Sequence, residues 1–184
     1  MPNAMLKLMP TTTLKLKSVQ TNSLAIPGFE PWYVSPSDPA LSVMIDFRSR
    51  SSVTVPETAP LHKALDHLKR AGVRCAFVVD EKNTAVTGMI TAYDMLGEKP
   101  QQHMHFTGVT HDNVLVRDIM QKIRDWRVAD IEGIEQSSVR DVLELFSETG
   151  MTHLPVMETT EGNEQRLRGL LSFAKVKRLL VEAA

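Results

Sequence analysis

Cysteine and aromatic residues are scarce in this 184-residue sequence. It contains one cysteine, Cys75, and aromatic residues make up 5% of it. A single cysteine excludes an internal disulfide, which favours a reducing compartment. No apolar run approaches the roughly 18 residues that cross a bilayer, and residues 1–20 lack the continuous apolar segment of a secretory signal. These absences predict a cytoplasmic protein.

An excess of charge of one sign is also missing. The formal net charge is -1, and the lysines and arginines form no dense cluster. Proteins that bind a phosphate backbone carry basic patches. We therefore expect neither nucleic acid nor a membrane among the partners.

Catalytic signatures are absent as well. The sequence has no glycine-rich phosphate loop, no Cys-x-x-Cys pair and no Ser-His-Asp arrangement that we can place. His103, His105, His111 and Asp112 lie close together in sequence, but a zinc site also needs a fixed geometry. Polar loop histidines are the simpler interpretation, so we predict no metal site and no enzyme.

Proline, serine and threonine are concentrated in residues 1–40. This composition opposes regular structure and predicts an extended, partly disordered arm. The stretch AIPGFEPWYV (25–34) differs, because Phe29, Trp32 and Tyr33 supply apolar area. It is expected to pack on the body of the protein or on a partner subunit.

Beyond the arm, the chain repeats itself. PLHKALDHLKRAGVRCAFVVD (60–80) aligns without a gap with SVRDVLELFSETGMTHLPVME (138–158). In both copies apolar residues follow helical spacing, and Gly72 or Gly150 stands where a helix ends. Apolar strands follow at 75–79 and 153–157, second strands at 86–90 and 167–171, and closing helices at 92–97 (or on toward 104) and 173–182.

This order predicts an α+β fold of two β-α-β-β-α units packed about a pseudo-twofold axis, with an extended N-terminal arm. Neither unit could bury enough apolar area alone. We place the arm at 1–40, the first unit at 41–104, a linker at 105–115 and the second unit at 116–184.

Five segments carry a family resemblance: VTVPETAPLHKAL, AFVVDEKNTAVTGMITAYDMLG, VRDIM, GMTHLPV and GLLSFAKV. Together they resemble a tandem pair of cystathionine-β-synthase-type (CBS) domains and, more narrowly, small stand-alone bacterial CBS-pair proteins. The resemblance implies a non-catalytic regulatory module. Such a module binds AMP, ADP, ATP or S-adenosylmethionine in clefts between the units, needs no cofactor, forms a homodimer and signals to another protein.

Thr91 and Asp94 lie three residues apart at the start of a predicted helix. This spacing fits a capping box, in which each side chain bonds to the other residue's backbone. The resemblance implies a second role, with Thr91 near a phosphate and Asp94 accepting both ribose hydroxyls. The two roles are compatible.

Further residues surround this predicted first cleft. Val73 and Ala76 have core packing as the alternative, and Arg74 is either a phosphate ligand or an exposed residue. The neighbours implied by the resemblance are Thr54, Val55, Val73, Arg74, Ala76 and Tyr93.

The second repeat has Ser172 and Lys175 where the first has Thr91 and Asp94. Ser172 can cap the helix, but Lys175 opposes the helix dipole. Lys175 either holds an anion, with Lys177 and Arg178 close behind, or is solvated in a cleft that has lost its ligand. The resemblance adds His153, which can reach a phosphate, and Pro155 to this second cleft.

The alternative function is a ligand-free oligomerisation or protein-interaction module. In that case Val176, Leu179 and Leu180 of the last predicted helix would form the dimer contact.

Overall fold

The computed structural model describes residues 31–180. Its strands are β1 Ile45–Asp46, β2 Thr54–Pro56, β3 Cys75–Val79, β4 Val86–Thr91, β5 Gln121–Lys122, β6 Ala129–Asp130, β7 His153–Thr159 and β8 Gln165–Ser172. Its α-helices are α1 Leu61–Ala71, α2 Ala92–Leu96, α3 Lys99–Thr107, α4 Val116–Ile119, α5 Ile131–Glu135, α6 Val139–Thr149 and α7 Phe173–Leu179. Short 3-10 helices lie at Ala40–Val43, His111–Asn113 and Ile123–Asp125.

The paired helices α1 and α6 confirm the predicted repeat. Leu61, Ala64 and Leu68 point from α1 into the core. Each helix ends at a glycine in the left-handed region, with φ of 66° at Gly72 and 68° at Gly150. Glycine adopts this conformation without the steric cost that a side chain imposes.

Two four-stranded sheets have equivalent strand orders. One sheet has the order β2-β3-β4-β5, and the other has the order β6-β7-β8-β1. One edge strand of each sheet, β5 in the first and β1 in the second, therefore comes from the other half of the chain. These arrangements confirm the α+β fold with two units about a pseudo-twofold axis.

Gly88 and Gly169 allow the exchanged strands to approach. A Cβ at Gly88 would lie 2.5 Å from the carbonyl oxygen of Gln121 in β5. A Cβ at Gly169 would lie 2.8 Å from the carbonyl oxygen of Ile45 in β1. Real Cβ atoms do not approach backbone this closely, so both repeats need glycine at the crossing.

Three apolar clusters form the core. One lies under the first sheet, is built around Leu68 and includes Val116 and Ile119 of α4, and another lies under the second sheet and is built around Phe146. The third joins the two sheets through Cys75, Phe77, Met89 and Leu170. Burial of this third cluster holds the units together.

Two predicted helices end earlier than expected. The extension of the first closing helix toward residue 104 is wrong, because α2 stops at Leu96 and a separate helix, α3, begins at Lys99. The second closing helix, predicted over 173–182, ends at Leu179. Leu180 is extended and pairs with Val34, and residues 181 and 182 lie outside the described residues.

In the described part of the arm, Val34 packs on the body of the protein and the neighbouring aromatic residues do not. Val34 is buried, and its N–H donates to the carbonyl of Leu179 over 2.7 Å. Trp32 and Tyr33 are 90% and 69% exposed, so their predicted packing on the body of this chain is wrong. Phe29 and the rest of residues 1–30 lie outside the described part of the chain.

Within residues 31–180, no helix is both long enough and apolar enough to span a membrane.

Candidate functional site

The starts of α2 and α7 are structurally equivalent. The N–H of Ala92 donates to the carbonyl of Arg74 over 2.9 Å, and the N–H of Phe173 donates to the carbonyl of Thr152 over 3.0 Å. In the sheets, Thr91 pairs with Cys75 and Ser172 pairs with His153. These matches make Arg74 equivalent to Thr152, Tyr93 to Ala174, and Asp94 to Lys175.

A cleft of about 320 Å³ opens where these equivalent segments meet, and we call it the axial cleft. Its volume lies at the lower end of the range for small-molecule sites. It is lined by Arg74, Tyr93, Thr152, His153, Phe173, Ala174 and Lys177. Since two pairs of equivalent residues line it, the cleft lies between the two halves.

The axial cleft combines cations with aromatic rings. The Arg74 guanidinium donates to the Tyr93 hydroxyl over 3.3 Å. The Lys177 ammonium lies 5.2 Å from the centre of the Phe173 ring, in a cation–π contact. Arginine and lysine provide charged donors for a phosphate or carboxylate, and the rings provide apolar surface for a planar group.

His153 forms the buried wall of the axial cleft and is only 5% exposed. Burial lowers its pKa to about 4; the nearby Asp94 carboxylate opposes this shift, and the Arg74 guanidinium adds to it. Its Nδ1 is 3.0 Å from the Thr152 hydroxyl. A neutral imidazole at this position can hydrogen-bond a ligand, and a bound anion would raise its pKa.

Thr91 and Asp94 form the predicted capping box. The Thr91 hydroxyl accepts from the N–H of Asp94 over 3.1 Å. Asp94 Oδ2 accepts from the Thr91 N–H over 2.9 Å and from the Thr91 hydroxyl over 2.7 Å. Its other oxygen, Oδ1, accepts from the Lys99 ammonium over 2.5 Å. The capping interpretation is confirmed, whereas ribose binding by Asp94 stays a prediction.

The equivalent positions in the second repeat behave differently. Ser172 is buried at the N-cap of α7, but its side chain makes no capping hydrogen bond, contrary to expectation. Lys175 is half-buried, and its ammonium donates to the carbonyl of Met44 over 3.2 Å. Lys175 therefore ties α7 to the segment just before β1, a role that neither sequence interpretation included.

The remaining predicted neighbours lie away from the axial cleft. The side chains of Val55 and Ala76 are buried in the core under the first sheet, and Val73 packs against the same core. Thr54 is exposed on β2, and Pro155 is buried in β7 opposite Leu170. Any ligand contact from Val55 or Ala76 would have to come from the backbone.

Phe77, the residue of the first repeat that stands where the second has Pro155, fills space between the sheets. It is 2% exposed. Its ring contacts Phe47 edge-to-face, with centroids 5.6 Å apart, and Trp126, with centroids 5.8 Å apart. The two halves therefore differ in the side chain at this position, as well as in the charge difference between Asp94 and Lys175.

Sequence reasoning missed Thr152, Phe173 and Ala174 as lining residues. It also assigned Arg74 and Tyr93 to one cleft and His153 to another, whereas all three line the axial cleft. The ungapped alignment contained the necessary signal, because it pairs Arg74 with Thr152.

The histidine segment holds no recognisable metal site. His103 and His105 lie on α3 rather than on a strand. Among residues 31–180, no group of three or more metal-ligating side chains is found.

The fold and the position of the cleft define a tandem pair of small α+β units that meet face to face. The CBS domain family model matches residues 43–100 and 134–182. The chain therefore belongs to the CBS domain family. A search of curated proteins found no match.

Several solved structures share the fold. The CBS-domain protein ATU1752 from Agrobacterium tumefaciens is 18% identical, with a TM-score of 0.54, and the match covers 85% of this chain and 98% of that one. An uncharacterised conserved protein from Pyrococcus horikoshii is 18% identical, with a TM-score of 0.53 and coverage of 81% and 98%. Arabidopsis thaliana CBSX2, solved in complex with AMP, is 22% identical, with a TM-score of 0.51 and coverage of 77% and 94%.

Proposed function

We propose that this protein is a non-catalytic regulatory module that binds an adenine nucleotide, or a related adenosyl ligand such as S-adenosylmethionine, at the axial cleft. The observation that carries the proposal is the convergence of Arg74, His153 and Lys177 on one cleft from both halves of the chain. Three potential anion-binding groups at one junction fit a phosphate-bearing ligand. The complex of CBSX2 with AMP supports the same ligand class.

In this proposal Asp94 binds the ribose and the axial cleft binds the phosphate. Asp94 follows Tyr93, which lines the cleft, and its charge acts on the His153 pKa. Ligand binding would join α2 of the first half to α7 of the second half. It would thereby favour one arrangement of the two units over others.

We further propose that the protein acts in the cytoplasm as a homodimer and passes its signal to another protein. The CBS pair fold supports this placement among regulatory modules. The domain boundaries at residues 40, 104 and 115 remain part of the proposal.

Isothermal titration calorimetry with AMP, ADP, ATP and S-adenosylmethionine tests the proposal. Arg74→Met should weaken AMP binding by about 10-fold, which corresponds to about 1.4 kcal/mol for one charge-assisted contact. Adenosine binding should change little, because adenosine has no phosphate. Arg70→Met, on the exposed side of α1, is the matched control, and absence of heat with every ligand at millimolar concentration would contradict the proposal.

The pH dependence of binding gives a second test. A phosphate beside His153 raises the histidine pKa above its value of about 4 in the free protein, so binding takes up protons. Because the AMP phosphate itself takes up a proton at about pH 6, the reference is His153→Gln: relative to that variant, the AMP affinity of wild type should increase from pH 7 toward pH 5. Equal pH profiles of AMP binding for wild type and His153→Gln would remove His153 from the phosphate site.

An interaction module remains the second candidate, although through a different surface from the one expected. Val176 and Leu179 are buried in the core of the second unit, with Leu180 packed against it, so they cannot form the predicted dimer contact. Phe106 and Leu96 are instead 88% and 69% exposed. Phe106→Ser together with Leu96→Ser, followed by analytical ultracentrifugation, would reveal whether this surface holds subunits together.

A further inference from the structure

Both oxygens of the Asp94 carboxylate already have partners. Oδ2 accepts two hydrogen bonds from Thr91, one from its N–H and one from its hydroxyl. Oδ1 accepts from the ammonium of Lys99 over 2.5 Å. The Asp94 side chain is 17% exposed and that of Lys99 is 52% exposed. The carboxylate is thus largely enclosed, while its lysine partner reaches it from the surface.

A ribose diol cannot bind Asp94 without displacing one of these partners. A carboxylate has about four lone-pair positions, two on each oxygen. Thr91 uses both positions on Oδ2, and Lys99 uses one on Oδ1, so one position remains for two hydroxyl donors. Loss of the Thr91 bonds would open the capping box of α2, whereas Lys99 can leave by rotating a half-exposed side chain.

We infer that Lys99 competes with the ribose of the ligand for the Asp94 carboxylate. Displacement of Lys99 then transmits the binding event to α3, which we call its reporting role. The inference rests on the proposed function and adds a regulatory residue to the same site. Lys99 lowers the fraction of molecules whose Oδ1 is open, and apparent affinity falls by that fraction. Ligand and lysine therefore exclude each other at one oxygen atom.

The position of Lys99 connects this exchange to α3. Lys99 is the first residue of α3 (Lys99–Thr107), and only Gly97 and Glu98 separate it from α2. The ion pair therefore holds the start of α3 against the start of α2. The second half has no equivalent pair, because Lys175 replaces Asp94 and Leu180 occupies the position that matches Lys99.

Adenosine is the best probe, because it has the ribose hydroxyls and no phosphate that Lys99 could attract. Calorimetry should show that Lys99→Met binds adenosine about 2- to 5-fold more tightly than wild type, the range expected from removing one partly exposed ion pair. Lys99→Arg keeps the charge and should bind like wild type. Lys63→Met, on the exposed face of α1, is the control for loss of a surface lysine, and Lys99→Gln replaces Lys99→Met if the latter does not fold.

A double-mutant cycle shows whether the effect acts through Asp94. In the Asp94→Asn background, Lys99→Met should no longer tighten adenosine binding. Hydrogen exchange should also accelerate at the Gln102 amide, which donates to the Glu98 carbonyl in the first turn of α3, when wild type binds adenosine, because the ion pair has been broken.

The outcomes separate this inference from the proposed function. Unchanged or weaker adenosine binding by Lys99→Met, with wild type still binding, would overturn the role of Lys99 and leave the nucleotide site intact. Unchanged exchange in α3 would overturn the reporting role. Absence of adenosine and AMP binding in wild type and in every Lys99 variant would overturn both proposals.

Discussion

The starts of α2 and α7 share a backbone geometry and differ in what their side chains hold. In the first half, Asp94 closes a capping box with Thr91 and pairs with Lys99. In the second half, Ser172 makes no cap, and Lys175 bonds to the backbone of Met44. One start presents a carboxylate, which is the ribose ligand in the proposed function, and the other start anchors the segment leading to an exchanged strand. The two repeats therefore share a backbone arrangement but differ in what their charged side chains contact.

The largest expected difference between the halves is in how low pH changes the free energy of unfolding. His153 and Cys75 are equivalent, and both are buried; burial, with a smaller contribution from Asp94, raises the Cys75 pKa to about 12, whereas burial lowers that of His153 to about 4. Between pH 6.5 and 4 the unfolded chain binds a proton at His153 that the folded chain does not bind. The free energy of unfolding should therefore fall by about 3 kcal/mol as the pH falls through this window.

Urea denaturation at several pH values measures this loss. His153→Gln should flatten the pH dependence between pH 6.5 and 4, whatever its effect on stability at pH 7. His62→Gln, on the exposed face of α1, is the matched control. An equally steep dependence in His153→Gln would contradict the assignment.

Substitution of the glycine at either exchanged strand should lower the free energy of unfolding by a similar amount. Gly88→Ala and Gly169→Ala each place a Cβ within 3 Å of a backbone oxygen and of a methionine sulfur. Each substitution should lower the free energy of unfolding by about 2 kcal/mol, a typical cost of overpacking. Chemical denaturation of both variants measures it.

Gly133→Ala provides the control for these glycines. A Cβ at Gly133 would meet no atom within 4 Å, and Gly133 lies inside α5. Alanine is favoured over glycine in a helix, so this variant should be stabilised by about 0.5–1 kcal/mol. Destabilisation at Gly133 equal to that at Gly88 would refute the crossing explanation.

The smallest predicted loss of stability concerns Lys175. Lys175→Met removes the hydrogen bond to the Met44 carbonyl and should lower the free energy of unfolding by about 1 kcal/mol. Hydrogen exchange should increase in the segment before β1, because that segment loses its tether. Unchanged exchange there would show that Lys175 is not an anchor.

Regular elements were predictable from sequence because their signals are local. Helical spacing followed by Gly72 or Gly150 located α1 and α6, and the apolar run CAFVV located β3 to the residue. The exchange of β1 and β5 was not predictable, since two-residue strands carry no period. An end of α2 near residue 97 was predicted, but the separate helix α3 was missed, because Pro100 near the start of a helix is compatible with either a new helix or a loop.

The candidate site was predictable in its chemistry but not in its assembly. Arg74 and Tyr93 were assigned to one cleft and His153 to another, and only the packing of the two units against each other brings the three side chains together. Glu158 illustrates the same limit, because a carboxylate directly after an apolar strand is typical of a turn. It instead lies in β7, where burial acts to raise its pKa, but hydrogen bonding to Arg166 and the charges of Arg48 and Arg168 outweigh burial and lower the pKa.

The most direct test of the divided repeat is AMP titration by calorimetry of two matched variants, Asp94→Ala and Lys175→Ala. Asp94→Ala should weaken AMP binding by about 1–3 kcal/mol, the cost of leaving the ribose hydroxyls unpaired. Lys175→Ala should leave AMP affinity unchanged, because its ammonium is engaged with the Met44 carbonyl. Equal losses in both variants, or a loss only in Lys175→Ala, would contradict the division of tasks between the two halves.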